Sequence, residues 1–331
     1  MKENACCRLQ LDLVILIFFL VYNRRMSQSN PTHPFKSGFV AVVGRPNVGK
    51  STLINAFVGQ KIAAVSPKPQ TTRLNQLGIL TDKNAQIVFV DTPGIHQSKH
   101  ALGEGINAEA QGALFDADMV LWLVDISENP HEEDRIIAER MKGVQAVIQA
   151  LNKIDLIRDP DALARKRKLF QKLMPTAEQI MISAVEGTGF GALRKGILTY
   201  LPEGSLLYPE DQITDIYERE IAADLIREAA LKNLRDEVPH SIAVRIDEYK
   251  ERKETGAFIA ATIFLERDSQ KGIVIGRQGS MLKTIGTSAR KAIEAMSGRK
   301  VFLDLRVKVK KNWRTDPAFL KQMGYSKPGE D

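Results

Sequence analysis

The amino-acid sequence predicts an α/β domain with a mixed, mostly parallel six-stranded sheet, followed by a smaller α+β domain of three strands with helices. Three observations carry that expectation. Phe39 to Phe57 reads FVAVVGRPNVGKSTLINAF: an apolar run, a glycine-bounded turn, then Leu53, Ile54 and Phe57 at helical spacing, which makes strand, loop and helix. Further on, near-continuous apolar runs such as Met119 to Val124 alternate with helical segments, as buried parallel strands do. Past Leu201 the pattern changes to one helix, two strands, a glycine-broken pair of helices and a last strand.

With 331 residues, 44% hydrophobic and 26% charged, the chain can bury two cores. The formal charge is +7, unevenly spread: from Lys271 to the end 14 Lys and Arg face 5 Asp and Glu, a net of +9 that leaves −2 for the first 270 residues. A polyanionic partner is therefore expected at the C-terminal fifth. Cys6 and Cys7 are the only cysteines. Being adjacent they cannot staple a fold, and the cysteine-free remainder fits a reducing cytoplasm.

Residues 1–36 read as an N-terminal extension. Its apolar run, LVILIFFLVY at 13–22, is about half of what spans a bilayer as a helix. It suits a signal peptide in charge and length, but no small-x-small cleavage site follows. Met26 opens a polar leader, MSQSNPTHPFKSG, and is the expected start. Residues 1–25 are then an upstream extension from a misplaced start, or a weak tether to the inner face of the cell membrane.

In the first loop, Gly44-Arg45-Pro46-Asn47-Val48-Gly49-Lys50-Ser51 has the spacing GxxxxGK[ST]. Its glycines let backbone N–H groups converge on a polyphosphate at a helix N-terminus. Lys50 would neutralise β- and γ-phosphates, and the Ser51 hydroxyl would take one position on Mg²⁺. Gly59 to Arg73 has no helical period and reads as a long loop, in which Thr71 or Thr72 would supply a hydroxyl to Mg²⁺ and an N–H to the γ-phosphate. Strands follow at Leu74 to Leu80 and Ile87 to Val90. The second ends in Asp91-Thr92-Pro93-Gly94, where Asp91 would hold Mg²⁺ and the Gly94 N–H would approach the γ-phosphate.

A helix is expected from Ala101 to Phe115, then the strand Met119 to Val124, a helix from Glu132 to Met141 and the strand Val144 to Leu151. That strand delivers Asn152-Lys153-Ile154-Asp155. The Asp155 carboxylate would accept from guanine N1–H and N2–H₂, Asn152 would bond the base edge, and the Lys153 stem would cover its face. Arg165 to Lys168, in the helix Asp161 to Leu173, reads as a solvated face. Ile180 to Ile182 is the last strand, with Ser183-Ala184 at its end, where the Ala184 N–H would meet guanine O6. The helix Gly191 to Tyr200 closes the domain.

Five motifs thus stand in order: GRPNVGKS, the TT of QTTR, DTPG, NKID and ISA. Together they resemble the translation-factor-related GTPases, with a Ras-like G domain over residues 37–201. The resemblance implies GTP and GDP binding and slow hydrolysis, with catalytic roles for Lys50, Asn47, Thr71, Thr72 and Gly94. One departure matters: Ile95 follows Gly94, where Ras-like switches carry a water-orienting glutamine, so another group must assist hydrolysis. Relatives with Asn at the position of Asn47 hold K⁺ beside the phosphates, which makes K⁺ a candidate.

Leu201 to Gln212 reads as a linker (202–213) and Thr214 to Arg235 as an amphipathic helix. Ser241 to Tyr249 and Phe258 to Leu265 are strands, joined through Thr255-Gly256. The segment GIVIGRQGSMLKTIG then holds Gly276-Arg277-Gln278-Gly279 between two helices, the second running to about Met296, before a last strand from Lys300 to Lys310. The glycines would let a nucleic-acid backbone approach, Arg277 and Lys283 would supply charge, and Ile273 and Ile275 would sit beneath the bases. Lys308, Lys310, Lys311, Trp313 and Arg314 interleave charge with an aromatic, which suits phosphate contact and stacking, with simple domain packing as the other reading of Trp313.

This α-β-β-α-α-β order resembles a type II KH domain over residues 214–310, with 311–331 as a basic tail. Taken together, the two domains resemble one family of RNA-binding GTPases, and that resemblance implies single-stranded RNA binding near the 3′ end of 16S rRNA, assistance in small-subunit assembly, a monomer, and a cytoplasmic or peripherally membrane-bound location. Two rivals stay open: an RNA-binding platform that senses GTP but barely hydrolyses it, and a membrane-recruited regulatory GTPase.

Overall fold

In a computed structural model of the chain, the described residues are 34–66, 75–93, 116–234, 238, 241–252 and 256–325. Thr71, Thr72, Gly94, Ile95, Thr255, the expected helix from Ala101 to Phe115, the apolar run at 13–22 and the last six residues lie outside them. Lys36–Asp331 forms one compact unit.

The first sheet has the order β2-β3-β1-β4-β5-β6, built from β1 (Lys36–Val43), β2 (Gln76–Thr81), β3 (Ala85–Asp91), β4 (Met119–Asp125), β5 (Val147–Asn152) and β6 (Glu178–Met181). Only β2 runs antiparallel to its neighbour. Strand alternation explains why the central strands are apolar throughout. Val40, Val42, Leu121 and Leu123 face one layer of helices, α1 (Lys50–Val58) and α4 (Phe190–Tyr200), through Leu53, Ile54, Leu193 and Ile197. Their neighbours Ala41, Val43, Val120 and Trp122 face α2 (Glu132–Arg140) and α3 (Pro160–Leu173) through Ile137, Ala138 and Phe170. Helix α3 starts where Asp159 accepts the Asp161 N–H and Pro160 takes the first helical position. Parallel pairing sets Val42 beside Asp91 and Asp125 beside Asn152, so the polar ends of β3, β4 and β5 meet at one rim.

The second sheet, β7 (Ala243–Arg252), β8 (Gly256–Leu265) and β9 (Lys300–Val309), has β7 antiparallel and β9 parallel to β8. One face is covered by α5 (Glu218–Asn233), α6 (Asp268–Ile275) and α7 (Ser280–Ser297), whose Ile221, Leu225, Val274, Ile285 and Ile293 pack on Ile259 and Ile263. Part of the other face is closed by α8 (Pro317–Gln322), with Trp313, Phe319 and Leu320 against Ala243 and Phe264.

Helix α5 begins at Glu218, not Thr214, because residues 213 to 215 are claimed by the first sheet: Ile79 N–H donates to the Ile213 carbonyl at 2.9 Å and Leu77 N–H to Asp215 Oδ1 at 3.1 Å. The linker, 202–213, is laid against the first sheet. The fully buried Gln86 accepts the N–H groups of Leu207 and Tyr208 at 2.7 and 2.9 Å and donates to the Tyr208 carbonyl at 2.9 Å. Pro202 accepts from Ser37 N–H, and the Tyr208 ring meets Phe39 edge-on. The segment is a strap laid along the sheet.

Candidate functional site

The nucleotide-site candidates gather at the rim where β1, β3, β4, β5 and β6 end. Gly49, at φ 104°, precedes α1, and a Cβ there would fall 2.5 Å from Asn152 Nδ2, so both backbone angle and space demand glycine. Asn47 is exposed at the loop tip with φ 65°, a left-handed conformation that asparagine tolerates better than most residues. Lys50 is 7% exposed, and its Nζ donates to the carbonyls of Gly44 and Arg45 at 3.0 and 3.2 Å. Burial pushes its ammonium down to about 8, only partly countered by Asp91. An ammonium under that strain favours any anion that enters the loop.

Ser51 Oγ donates to Asp91 Oδ2 at 2.6 Å, which joins the start of α1 to the end of β3. A hydroxyl and a carboxylate side by side form a hard-oxygen pair that suits Mg²⁺, an ion that completes its shell from phosphates and water. Among the described residues no cluster of three or more His, Cys, Asp or Glu could hold a metal by itself. Thr92, fully buried, donates through Oγ1 to the Val42 carbonyl at 2.7 Å, so its side chain fixes the strand end; Pro93 is buried beside it.

Asn152 has a structural role that the sequence did not announce. It is 2% exposed; its Nδ2 donates to the Val48 carbonyl at 2.8 Å and its Oδ1 accepts the Ala184 N–H at 2.9 Å. With each end of its buried amide engaged internally, Asn152 braces the phosphate loop against the Ser183-Ala184 turn, and one Nδ2 hydrogen is left over for the base edge expected of it. The Ala184 N–H expected for guanine O6 is committed to that brace. Ser183, fully buried, stiffens the same turn, its Oγ accepting Glu186 N–H at 3.2 Å. Asp155, by contrast, is exposed in the short turn after β5. Lys153, at φ 69°, is held by Asp125, whose Oδ2 lies 2.6 Å from its Nζ. Burial alone would raise the Asp125 carboxyl, but Lys153 and Ser127 together keep it below the ordinary value.

Sequence reasoning missed Asp125 and the network behind it. The Arg45 guanidinium turns away from the loop interior to Glu128, with Asp134 at 3.5 Å and Asp125 at 3.9 Å. Burial raises Asp134, and Arg45 is among the groups that oppose this. The phosphate loop and the NKID turn thus share one carboxylate. An Asp closing an otherwise apolar strand (MVLWLVD) was the available signal.

In the second domain Gly276 sits at φ 73°, where a Cβ would lie 2.7 Å from Met281 N, and Gln278 adopts φ 50°. The turn 276–279 presents Arg277 and Gln278 to solvent. Before it, Val274 enters the core, Ile275 is half-buried and Ile273 is 52% exposed. A groove of about 430 Å³ follows, lined by Gly279, Lys283, Gly286, Thr287 and Arg290 of the turn and α7 and by Leu303 and Leu305 of β9. Arg290 was not singled out from sequence, although it lies two turns beyond Lys283 on the same face.

The basic residues near the C-terminus do not all join this groove. Val301, Leu303, Leu305, Val307 and Val309 pack toward the helices. Lys308, on the alternate set, therefore projects from the opposite face of the sheet. Lys310 pairs with Asp316 at 2.8 Å over the Phe319 ring, while Lys311 is exposed 3.8 Å from Asp268 at the start of α6. Trp313 is not offered to RNA bases for stacking. It is fully buried, with Nε1 donating to the Ser241 carbonyl at 2.9 Å and its ring against Phe319. Domain packing is the correct reading of that residue, because the sheet's second face needs an aromatic cover.

Comparison with known proteins agrees with both halves. Residues 39–153 match the family described as 50S ribosome-binding GTPase and residues 237–314 match the KH domain. The chain is 45% identical over 291 residues to GTPase Era of Staphylococcus haemolyticus, covering 88% of this chain and 97% of that protein. It is 46% identical over 292 residues to GTPase Era of Ruminiclostridium cellulolyticum, covering 88% and 98%. Among solved structures, Era in complex with MgGDPNP and nucleotides 1506–1542 of 16S ribosomal RNA superposes with a TM-score of 0.84 at 41% identity, over 88% of this chain and 99% of that one. A variant of Aquifex aeolicus Era bound to GDP and AlF4⁻ superposes at 0.83 and 40% identity, over 88% and 100%.

Proposed function

The chain belongs to the Era family of GTPases, and on that premise we propose that it is a GTP-hydrolysing switch that grips single-stranded RNA near the 3′ end of 16S rRNA and assists assembly of the small ribosomal subunit. The observation that carries this reading is the pairing, in one compact unit, of a phosphate loop closed over a buried Lys50 with an exposed Gly276–Gly279 turn beside an apolar, basic-rimmed groove. The relative solved with both MgGDPNP and a 16S rRNA segment supports the same pair of ligands here.

Lys50 and the backbone of Gly44 to Ser51 hold the phosphates, and Asp155 selects guanine. Ser51 and Asp91 hold Mg²⁺, which supplies charge neutralisation at the β- and γ-phosphates, with Thr71 or Thr72 as further donor. Asn47 holds K⁺ beside the phosphates, and exchange of K⁺ for Na⁺ lowers the hydrolysis rate; equal rates refute that assignment. Ile273, Ile275, Gly276, Arg277, Gln278, Gly279 and Lys283 contact RNA in the groove, and exposed Lys308 and Lys311 add charge from outside it. The protein acts as a monomer in the cytoplasm, and residues 1–25 supply any peripheral membrane attachment.

Multiple-turnover phosphate release, with and without an RNA oligonucleotide of the 16S 3′ end, tests the reading. Turnover that responds to the RNA is expected. No turnover in either condition refutes the enzymatic half and favours a GTP-sensing platform.

A further inference from the structure

Helix α5 serves two domains. Ile221, Leu225 and Ala229 fill the KH core, while Asp224 and Glu228, one turn apart, reach the G domain. Glu228 is 3% exposed, and its carboxylate is fully engaged: Oε2 accepts the Val65 N–H at 3.1 Å, Oε1 accepts Lys61 Nζ at 2.8 Å, and Lys232 closes on the same oxygen. Lys61 and Val65 bracket the buried Ile62, Ala63 and Ala64. That stretch is pinned from its other side by Asn55 of α1, whose Oδ1 accepts the N–H groups of Ile62 and Ala63 at 2.9 Å. Lys50 and Ser51 open the same α1.

Asp224 makes the second connection. Its Oδ2 accepts Gln76 Nε2 at 2.6 Å, and Gln76 pairs directly across the β2/β3 ladder from Asp91. The first helix of the KH domain is therefore linked to both elements that carry the phosphate-site pair, to α1 of Ser51 by way of the 61–65 stretch and Asn55, and to β3 of Asp91 by way of Gln76 in β2. Ser51 and Asp91 are themselves joined at 2.6 Å, so whatever separates them at the nucleotide moves one of the two supports of α5. Toward the RNA, α5 packs along α7, the helix that follows Gly279, and Gln60 Nε2 adds a tie to the Met296 carbonyl near the far end of α7 at 2.9 Å.

We infer that Asp224 and Glu228 are the positioning residues through which occupancy of the GTP site and occupancy of the KH groove influence one another. The inference rests on the two-ligand reading given above. Partly buried, charge-assisted hydrogen bonds suit the task, since they lose much of their strength when one charge is removed. Asp224→Asn and Glu228→Gln keep side-chain size. Asp224→Asn also leaves an acceptor for Arg227, now 2.8 Å from Oδ1, and Glu228→Gln leaves one for Val65 N–H.

The test measures affinity of the full-length protein for a non-hydrolysable GTP analogue, with and without a saturating RNA oligonucleotide of the 16S 3′ end. Wild type should show a ratio of at least about fivefold between the two conditions. The Asp224→Asn/Glu228→Gln double variant should keep RNA affinity in the nucleotide-free state within about twofold, while its ratio collapses to within about twofold of unity. Lys61→Met, made on the G-domain side, should lower the ratio part of the way and guards against a folding defect in α5. An unchanged ratio in both variants overturns the assignment and leaves the two-ligand reading standing. Wild type that binds both ligands with no mutual effect also overturns it. Wild type that fails to bind either ligand refutes the functional reading itself.

Discussion

Lys50→Met should weaken nucleotide binding without destabilising the empty protein. The ammonium is held at about 8 instead of 10.5, with burial as the main cause. At about 1.4 kcal/mol per factor of ten, that difference amounts to about 3 kcal/mol of cost carried by the folded, nucleotide-free state at neutral pH. Methionine has a similar length and no charge to desolvate. Its substitution removes the cost but also two hydrogen bonds to the Gly44 and Arg45 carbonyls, which together offset about 1 to 3 kcal/mol and leave the Met variant at least as stable as wild type, with a gain of up to about 2 kcal/mol. Below about 8 both folded and unfolded chains carry the proton and the cost is complete. Between 8 and 10.5 the unfolded chain binds more protons, so wild-type stability attributable to this residue rises with pH and the advantage of Lys50→Met shrinks. GTP requires the charged form, so wild-type affinity should fall about tenfold per pH unit above 8, and the Met variant should lose at least about a hundredfold at neutral pH. Denaturant unfolding of nucleotide-free protein at pH 7 and pH 9.5, paired with GTP titrations, measures all of these. A Met variant less stable than wild type at pH 7 would refute the account of Lys50 as a strained, preloaded cation.

Asp125→Asn should weaken GTP and GDP equally, by about 1.5 to 3 kcal/mol, because it loosens the Lys153 ammonium on the base side, while its other ion pair is with an Arg45 side chain turned away from the loop interior; titrations that show a loss for GTP alone would contradict this. Asp155→Ala should abolish the preference for GTP over ATP, read by competition, and an intact preference would place base selection elsewhere. Trp313→Ala should cost about 3 to 5 kcal/mol in thermal or chemical unfolding, since it empties the fully buried cover of the second sheet face; near-normal stability with lost RNA affinity would restore a stacking role.

Legibility from sequence followed the range of the forces involved. Phosphate, guanine and RNA-backbone recognition each ask for particular residues within a few positions, so GRPNVGKS, DTPG, NKID and GRQG are legible in the chain itself, together with their strand or helix context. Side-chain destinations set by distant partners are not. Lys308 and Trp313 looked like one basic-aromatic cluster because they are close in sequence, yet strand alternation sends Lys308 away from the groove, and a carbonyl 72 positions back claims Trp313. The bracing bonds of Asn152 are equally invisible in its motif, because Val48 and Ala184 reach it from 104 and 32 positions away. The strap over 202–213 was missed for a similar reason. Prolines and absent periodicity signal an irregular path, and say nothing of the buried Gln86 that receives it.

That strap has a consequence for how the protein is made. β2 is an outer strand of its sheet, and its free hydrogen-bonding side would be a template for the same strand of another molecule. Ile213 and Asp215 occupy that side in the finished protein, but they emerge from the ribosome well after the sheet they cover. Until they arrive the nascent G domain is sticky along one margin, and a truncation that stops at Leu201 would leave it so permanently.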